Sequence, residues 1–243
     1  MINFEGKHIL VTGASSGMGK VFAGMIAAKG GCVSLLARNE ERLQQVKESM
    51  PGEGHDYFVC DLTDENKIQE SVGKMTPFDG VVFCAGINDY VPVKFIKQEK
   101  IDNIFQTNYF SQLVLTQTLL KKKLIKKSSS LVYISSLSSV LGVPGTLLYA
   151  SSKAAINSAV KVIASELAPQ GIRANSVCPG IVKTEMLSGT NIDEEAFTKQ
   201  AAEYPLGLGT PEDVGKLVLF LLSDNSRWMT GNNIVIDGGF SLK

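Results

Sequence analysis

Two side chains suited to acid–base chemistry lie four positions apart in the segment Tyr149-Ala150-Ser151-Ser152-Lys153. Side chains at positions i and i+4 share one face of a helix, so a helix here places the Tyr149 phenol beside the Lys153 ammonium. A free tyrosine has a pKa of about 10, and a neighbouring cation lowers that pKa by stabilising the phenolate. The pair predicts an acid–base tyrosine assisted by a lysine, although this spacing alone is common by chance.

A serine hydroxyl follows a predicted strand just upstream of this pair. Ser136 lies 13 residues before Tyr149 and comes just after the apolar run Leu131–Ile134. A hydroxyl at the end of a strand can hold a carbonyl oxygen beside the phenol. Ser136 is therefore predicted to orient a carbonyl group, with Ser138 and Ser139 as alternatives that the spacing disfavours.

A glycine-rich turn between the first predicted strand and the first predicted helix indicates a nucleotide site. Its glycines allow a tight turn and let a pyrophosphate approach the helix N-terminus, where free N–H groups and the helix dipole favour an anion. The spacing GxxxGxG is one residue wider than the usual dinucleotide fingerprint, so an ordinary strand–turn–helix glycine cluster is the alternative. The predicted cofactor contacts in this turn are Gly13, Ser15, Ser16, Gly17, Met18 and Gly19.

The end of the second predicted strand distinguishes between the two nicotinamide dinucleotides. An NAD site places an acidic residue on the ribose 2′-hydroxyl at this point. The chain instead has Arg38, whose guanidinium suits a 2′-phosphate, so NADP(H) is favoured over NAD(H). A solvated arginine at a helix start is the alternative. Asp61 ends the third predicted strand and either accepts a hydrogen bond from the adenine amine or belongs to the N-cap region of the next helix.

Short apolar runs alternate with longer amphipathic segments along the chain. Strands that are apolar on both faces belong in a parallel sheet covered by helices, and regular alternation calls for right-handed βαβ units. The predicted strands are Ile9–Val11, Val33–Leu36, Tyr57–Val59, Gly80–Phe83, Leu131–Ile134, Arg173–Val177 and Ile234–Ile236. The predicted helices span 17–29, 39–50, 64–75, 98–126, 149–168 and 211–222.

This alternation predicts an α/β fold, a doubly wound, seven-stranded parallel sheet with helices on both faces. Residues 1–243 are expected to form one dinucleotide-binding and catalytic domain of the Rossmann type. The stretch 184–211 is rich in glycine and proline around a short helical piece at 193–204. It follows a strand, where α/β sheets bind their ligands, so it is predicted to be a substrate lid; a surface excursion without function is the alternative.

Composition excludes several other classes of protein. The chain has 243 residues, 24 Lys+Arg against 24 Asp+Glu, and 44% apolar residues, which argues against a nucleic-acid-binding or disordered protein. Four separated cysteines and two histidines lack metal-site spacing, and a disulfide is not expected. Because neither a secretory signal pattern nor an apolar run of the roughly 20 residues needed to span a bilayer is found, a cytoplasmic protein is expected.

These motifs together resemble the short-chain dehydrogenase/reductase family in its compact branch. The resemblance runs essentially end to end, in the family's order and spacing. It rests on the glycine turn, Asp61, Ala85-Gly86, Asn108, Ser136, Tyr149, Lys153, Cys178-Pro179-Gly180-Ile181-Val182-Lys183-Thr184, Thr230-Gly231 and Asp237-Gly238-Gly239.

The resemblance implies an oxidoreductase that moves a hydride between a nicotinamide and a carbonyl or alcohol carbon. Tyr149 would protonate the nascent alkoxide, Lys153 would lower the pKa of Tyr149 and bind the nicotinamide ribose, and Ser136 would orient the carbonyl. Asn108 would hold a water that relays protons to Lys153, or else be a structural helix residue. Further implied cofactor contacts are Leu62, Ala85, Gly86, Pro179, Gly180, Ile181 and Thr184.

One departure from the family pattern concerns the fourth strand. The family often has Asn-Asn-Ala-Gly there, whereas this chain has Phe83-Cys84-Ala85-Gly86. The second asparagine usually hydrogen-bonds neighbouring strands, and a cysteine is a far weaker partner. The departure calls into question the rigidity of the turn after the fourth strand, and not the hydride-transfer chemistry.

Within the family, segments 205–213 and 220–224 look most like the 3-oxoacyl-acyl-carrier-protein reductases. The resemblance thus favours NADPH-dependent reduction of a 3-oxoacyl thioester, with a sugar, polyol or steroid alcohol dehydrogenase as the alternative. A nucleotide-binding protein on an inactive scaffold is disfavoured because the four catalytic positions are all present. The resemblance also suggests an acidic acyl carrier protein as a partner, which needs a basic docking surface. Gln170 stands where that group of reductases typically has arginine. The cluster Lys121–Lys123 with Lys126 and Lys127 could replace that arginine in docking, or else only complement a helix dipole. The family also implies a homotetramer, built through the helices 98–126 and 149–168 and the C-terminal segment.

The predicted apolar side chains for a substrate pocket come from two loops. They are Val140, Leu141, Val143, Met186, Leu187 and Phe197, with ordinary loop packing as the alternative.

Overall fold

The computed structural model describes residues 2–184, 198–199 and 201–242, and within these it contains a sheet of seven parallel strands. The strand order is β3-β2-β1-β4-β5-β6-β7. Every predicted strand lies inside an observed one. The strands are β1 His8–Thr12, β2 Cys32–Ala37, β3 Asp56–Val59, β4 Phe78–Phe83, β5 Ile125–Ile134, β6 Arg173–Pro179 and β7 Asn233–Ile236.

Helices cover both faces of the sheet, and the central strands are largely buried on both of their faces. Side chains of the helices Gly17–Ala27 (α1), Glu40–Ser49 (α2) and Pro211–Leu222 (α7) form one apolar cluster against the sheet. Those of Glu65–Val72 (α3), Ser111–Lys121 (α5) and Leu147–Leu167 (α6) form the other. The predicted α/β, doubly wound Rossmann-type fold is therefore confirmed. The helices are α1 Gly17–Ala27, α2 Glu40–Ser49, α3 Glu65–Val72, α4 Gln98–Phe105, α5 Ser111–Lys121, α6 Leu147–Leu167 and α7 Pro211–Leu222.

The predicted single helix over 98–126 is wrong in two places. A wider turn of π-helix over Gln106–Phe110 separates α4 from α5. The second helix ends at Lys121, because Lys123 adopts the left-handed backbone conformation (φ 56°) and turns the chain into β5. The apolar periodicity could not reveal the π-helical turn, since it continues through that turn, whereas the three lysines at 121–123 do mark the end of the second helix.

The sheet brings the candidate site residues to one edge. The strand order reverses between β1 and β4, and a doubly wound sheet binds ligands outside the carboxyl ends of its strands at such a point. The glycine turn follows β1, Ser136 follows β5, and Pro179 ends β6. Of the stretch predicted to be a lid, residues 185–197 and 200 lie outside the described residues.

Three observations concern membrane-spanning helices, metal sites and disulfides, none of which the sequence predicts. None of the helices in the described part of the chain is long and apolar enough to cross a membrane. Across the same residues, His, Cys, Asp and Glu form no group of three that could hold a metal ion, and all four cysteines are free thiols.

Candidate active site

The glycine turn is shaped so that only glycine fits at two of its positions. Gly13 has a φ of 66°, and a Cβ on it would lie 2.9 Å from the backbone of Ala85. A Cβ on Gly19 would overlap the carbonyl oxygen of Gly13. Ser16 is the N-cap of α1, yet its side chain makes no capping hydrogen bond, so the first N–H groups of the helix face outward. This arrangement is a cradle into which the backbone can receive an anion.

A cavity of about 350 Å³ lies over this turn and the ends of β1 to β4. It joins residues that are far apart in the sequence, as the resemblance implies for a dinucleotide site. Of the predicted cofactor contacts, it is lined by Gly13, Ser15, Ser16, Gly17, Met18, Gly19, Arg38, Asp61, Leu62, Ala85, Gly86 and Thr184.

At one end of this cavity the structure places a second arginine that sequence reasoning missed. Arg38 and Arg42 are both exposed and both line the cavity. The Asn39 side chain caps α2 by accepting a hydrogen bond from the Arg42 backbone N–H at 2.8 Å, and this tight turn brings the two arginines to the same wall. The sequence signal that could have revealed Arg42 is its four-residue spacing from Arg38 across the start of the helix.

Asp61 also lines this cavity, but it is not the helix N-cap. Asp64 caps α3, whereas Asp61 Oδ1 accepts hydrogen bonds from the Thr63 backbone N–H at 3.0 Å and the Thr63 hydroxyl at 2.8 Å. These bonds lower the pKa of the Asp61 carboxyl, and the nearby Arg38 charge lowers it further. The group is therefore an ionised acceptor at neutral pH.

The loss of local rigidity expected from Cys84 is offset from the neighbouring strand. Thr12 Oγ1 on β1 accepts hydrogen bonds from the backbone N–H groups of Cys84 (3.0 Å) and Ala85 (3.1 Å). The Gln112 side chain also donates to the Ala85 carbonyl at 3.0 Å. The turn after β4 is thus held from two sides without the asparagine of the family pattern.

Asn108 holds the loop that follows this turn. Its position in the π-helical segment directs the buried side chain at Ile87: Oδ1 accepts from the Ile87 N–H and Nδ2 donates to the Ile87 carbonyl, both at 2.8 Å. Nδ2 also donates to Ser152 Oγ at 3.1 Å. A Cβ on Gly86 would lie 3.1 Å from Asn108 Oδ1 and 3.2 Å from Lys153 Nζ, so these three residues are adjacent. The amide has its two donors in use and keeps a single free acceptor site.

Tyr149 and Lys153 lie together on the first turns of α6, as the spacing predicts. Lys153 Nζ is 5.8 Å from the centre of the Tyr149 ring and donates a hydrogen bond to the Ile134 carbonyl at 2.8 Å. Burial lowers the pKa of Lys153 to about 8. Burial also raises the pKa of Tyr149 to about 12, against a smaller lowering by the Ser136 hydroxyl. The expected lowering of the tyrosine pKa is therefore not found, because desolvation outweighs the neighbouring groups.

Ser136 occupies the start of a short helical turn, Leu137–Ser139. Its backbone is extended and its hydroxyl oxygen accepts the Ser138 N–H at 3.2 Å, so the side chain is fixed over the end of β5. Ser136 and Tyr149 line a second cavity of about 150 Å³. Ser136 and Ser138 both line this cavity and Ser139 does not, and of these hydroxyls only that of Ser136 lowers the pKa of Tyr149.

The second cavity adjoins the first at Met18 and Thr184, which line both. The predicted cofactor contacts Pro179, Gly180 and Ile181 line the second cavity, and Val143 does so too. Val140 and Leu141 line a different surface groove, and Met186, Leu187 and Phe197 lie outside the described residues. Side chains that sequence reasoning missed here are Asn88, Tyr90, Tyr204 and Phe240.

Comparisons with known proteins identify relatives along the whole chain. A family model described as enoyl-(acyl carrier protein) reductase matches residues 13–241. The 3-oxoacyl-(acyl-carrier-protein) reductase FabG of Rickettsia conorii is 32% identical over 100% of both chains, and that of Thermotoga maritima is 35% identical over 99% of this chain and 100% of its own. A solved short-chain type dehydrogenase/reductase from Mycobacterium marinum is 31% identical with a TM-score of 0.90, covering 100% of this chain and 98% of that one.

A parallel doubly wound sheet with a glycine cradle and a serine–tyrosine–lysine group at its carboxyl edge defines a class of nucleotide-dependent oxidoreductases. The chain belongs to the short-chain dehydrogenase/reductase family. Members of this family use a nicotinamide cofactor.

Proposed function

We propose that this protein is an NADPH-dependent carbonyl reductase and that its best substrate is a 3-oxoacyl thioester. The observation that carries the proposal is the junction of the two cavities. Ser136 and Tyr149 line the smaller cavity, which meets the glycine-turn cavity at Met18 and Thr184. A ketone held by Ser136 and Tyr149 therefore lies beside the end of the nucleotide site.

The residues present fit a nicotinamide dinucleotide. The space that a Cβ would fill at Gly13 and Gly19, together with the outward N–H groups of α1, suits a pyrophosphate. Arg38 and Arg42, which line the same larger cavity, suit the 2′-phosphate of NADPH. Asp61, which also lines it, suits the amine of the adenine. The bound nucleotide supplies the hydride.

The chain's own groups position the ketone and deliver the proton. Ser136 donates a hydrogen bond to the carbonyl oxygen, and Tyr149, neutral at neutral pH because its pKa is about 12, protonates that oxygen as negative charge develops on it. Lys153 stabilises the charge left on the phenol and binds the nicotinamide ribose. Asn108 holds the loop at Ile87 next to Lys153, and its free acceptor site can retain the relay water.

The substrate proposal rests on the relatives and on the lining of the smaller cavity. The two relatives from Rickettsia and Thermotoga are named for reduction of 3-oxoacyl groups on an acyl carrier protein. The described residues that line the smaller cavity include no Lys, Arg, Asp or Glu, so a thioester matches it better than a charged acid. An acidic carrier would contact the exposed lysines of the cluster Lys121–Lys123 and Lys127, while Lys126, also exposed, is paired with Asp79.

Two further parts of the proposal concern the surroundings of the site. Thr184 and Tyr204, two described residues of the predicted lid, contact the substrate, since both line the smaller cavity. The chain assembles as a homotetramer through apolar side chains that are exposed in the single chain, among them Val162 on α6 and Trp228 near the C-terminus.

The proposed function is tested by following NADPH absorbance with acetoacetyl-CoA, acetoacetate and a neutral ketone as substrates. Turnover of the thioester well above that of the free acid is expected, because the free carboxylate has no partner in the uncharged cavity. NADP⁺ reduction by a sugar, polyol or steroid alcohol, without thioester turnover, would replace the substrate proposal by the alternative within the family. Nucleotide binding with no turnover of any of these compounds would contradict the enzyme proposal.

Replacing Arg38 and Arg42 with alanine tests the choice of cofactor. The double variant is expected to raise KM for NADPH by about 10-fold or more, because each guanidinium can make a charge-assisted hydrogen bond to the 2′-phosphate. KM for NADH, which has no such phosphate, should change little. The measurement is the ratio of kcat/KM for the two coenzymes, with Arg227→Ala on the exposed surface as the control. Equal changes for both coenzymes would show that the arginines do not read the phosphate.

A further inference from the structure

The run Ser135-Ser136-Leu137-Ser138-Ser139 places four hydroxyls at the end of β5, and two of them have clear structural partners. Ser135 Oγ donates to the Lys153 carbonyl at 3.1 Å. Ser139 Oγ donates to the Ser136 carbonyl at 2.5 Å and accepts from the Asn157 side chain at 2.7 Å. These bonds tie the turn to α6 and fix its backbone.

Ser138 differs from both. The Ser138 hydroxyl lies 2.9 Å from Ser136 Oγ. Ser138 also lines the smaller cavity, as Ser135 and Ser136 do. Its backbone N–H donates to the same Ser136 oxygen at 3.2 Å. The described residues give the Ser138 hydroxyl no second hydrogen-bond partner within the protein.

The hydrogen-bonding capacity of Ser136 makes the direction of this contact important. A serine hydroxyl has one hydrogen to donate and two lone pairs to accept with. The Ser138 N–H takes one lone pair. If Ser136 donated its hydrogen to Ser138, it could not donate to a substrate; if Ser138 donates instead, both lone pairs of Ser136 are filled and its hydrogen must point elsewhere. The Ser136 hydroxyl also lowers the pKa of the Tyr149 phenol, and both residues line the smaller cavity.

We propose that Ser138 is a positioning residue for Ser136: its O–H and N–H together fill the acceptor sites of Ser136 Oγ, so that the Ser136 hydrogen is directed at the substrate carbonyl oxygen. The inference rests on the proposed reductase function. Ser138 acts through Ser136 and makes no essential contact with the substrate itself.

A double-mutant cycle with Ser136→Ala, Ser138→Ala and the double variant tests this role, because coupling between two residues appears as non-additivity. Ser138→Ala is expected to lower kcat for acetoacetyl-CoA by about 3- to 10-fold, the size of one neutral hydrogen bond, with KM for NADPH unchanged. In the Ser136→Ala background, removing the Ser138 hydroxyl should lower kcat no further. Ser138→Thr should restore activity, and the equally shaped Ser138→Val should not.

Two controls separate this role from a structural one. Ser139→Ala removes a bond that holds the backbone of the same turn, so it should lower the melting temperature more than Ser138→Ala does. Ser158→Ala, an exposed serine on α6, should leave activity unchanged.

Each outcome has a distinct meaning. Additive losses in the double variant would show that Ser138 contacts the substrate independently and would overturn the inference. Equal activity of Ser138→Thr and Ser138→Val would also overturn it, because a role for shape alone needs no hydroxyl. A wild type that turns over no ketone would contradict the proposed function and the inference with it, whereas an active wild type with unaffected Ser138 variants contradicts the inference alone.

Discussion

Tyr149→Phe is expected to lower kcat for ketone reduction by about 10²- to 10⁴-fold, the usual contribution of a positioned general acid. The substitution removes only the phenol oxygen, and the ring remains packed on the first turn of α6 beside Lys153. NADPH binding should therefore be retained. The measurement is kcat and the NADPH dissociation constant for the variant beside the wild type.

Tyr57→Phe is a matched control for this variant. Tyr57 lies on β3, with its hydroxyl 3.4 Å from the exposed Glu40 carboxylate and away from the smaller cavity, so its loss should not alter kcat. If Tyr149→Phe reduced ketones at the wild-type rate, proton delivery by this residue would be refuted. If nucleotide binding were lost as well, the effect would be structural.

The second large effect is expected for Lys153→Met, which replaces a buried cation by an apolar side chain of similar length. Loss of the charge that stabilises the phenolate should lower kcat by about 10²- to 10³-fold. The same substitution changes the pH dependence of folding, because burial lowers the pKa of Lys153 from 10.5 to about 8. The measurements are kcat at neutral pH and the unfolding free energy across the alkaline range.

The sign of the pH dependence follows from proton counting. Between pH 8 and 10.5 the unfolded chain binds a proton at Lys153 that the folded chain has released, so unfolding becomes less favourable as pH rises through this window. Below about pH 8 the folded state bears the full cost of the buried charge, about 3 kcal/mol at 1.36 kcal/mol per pKa unit. The unfolding free energy of the wild type should therefore rise relative to that of Lys153→Met as the pH increases from 8 to 10.5.

Lys161→Met provides the control for both readouts. Lys161 is exposed on the same helix, so its replacement should leave kcat and the pH dependence as in the wild type. A constant difference in unfolding free energy between wild type and Lys153→Met over this pH range would show that Lys153 titrates normally. Unchanged kcat in Lys153→Met would refute its role beside Tyr149.

Much of the fold was predictable because short apolar runs and amphipathic segments report burial directly. A strand covered on both faces is mostly apolar, and all seven predicted strands lie within observed ones. The break at Gln106–Phe110 was not predictable in this way, since a π-helical turn changes the backbone spacing and leaves the apolar pattern intact. Yet that turn aims Asn108 at Ile87.

The electrostatic state of the site was the least predictable part. The pairing of Tyr149 with Lys153 follows from helix geometry and was found from spacing alone. The direction of the Tyr149 pKa shift could not be found from spacing, because desolvation depends on side chains that pack around the phenol from distant parts of the chain. Arg42 joined Arg38 for a similar reason: the turn capped by Asn39 sets their relative position.

The amino-acid sequence by itself determined the class of fold, the glycine turn and the identity of the residues available for proton transfer, because each depends on residue type and local spacing. Apart from pairs on one helix, such as Tyr149 and Lys153, the tertiary structure decided which of these residues meet. The carboxyl ends of β1, β4, β5 and β6 lie at one edge only because the chain folds into this strand order. That edge joins the two cavities at Met18 and Thr184, which come from distant segments, whereas the contact between Ser136 and Ser138 forms within one local turn.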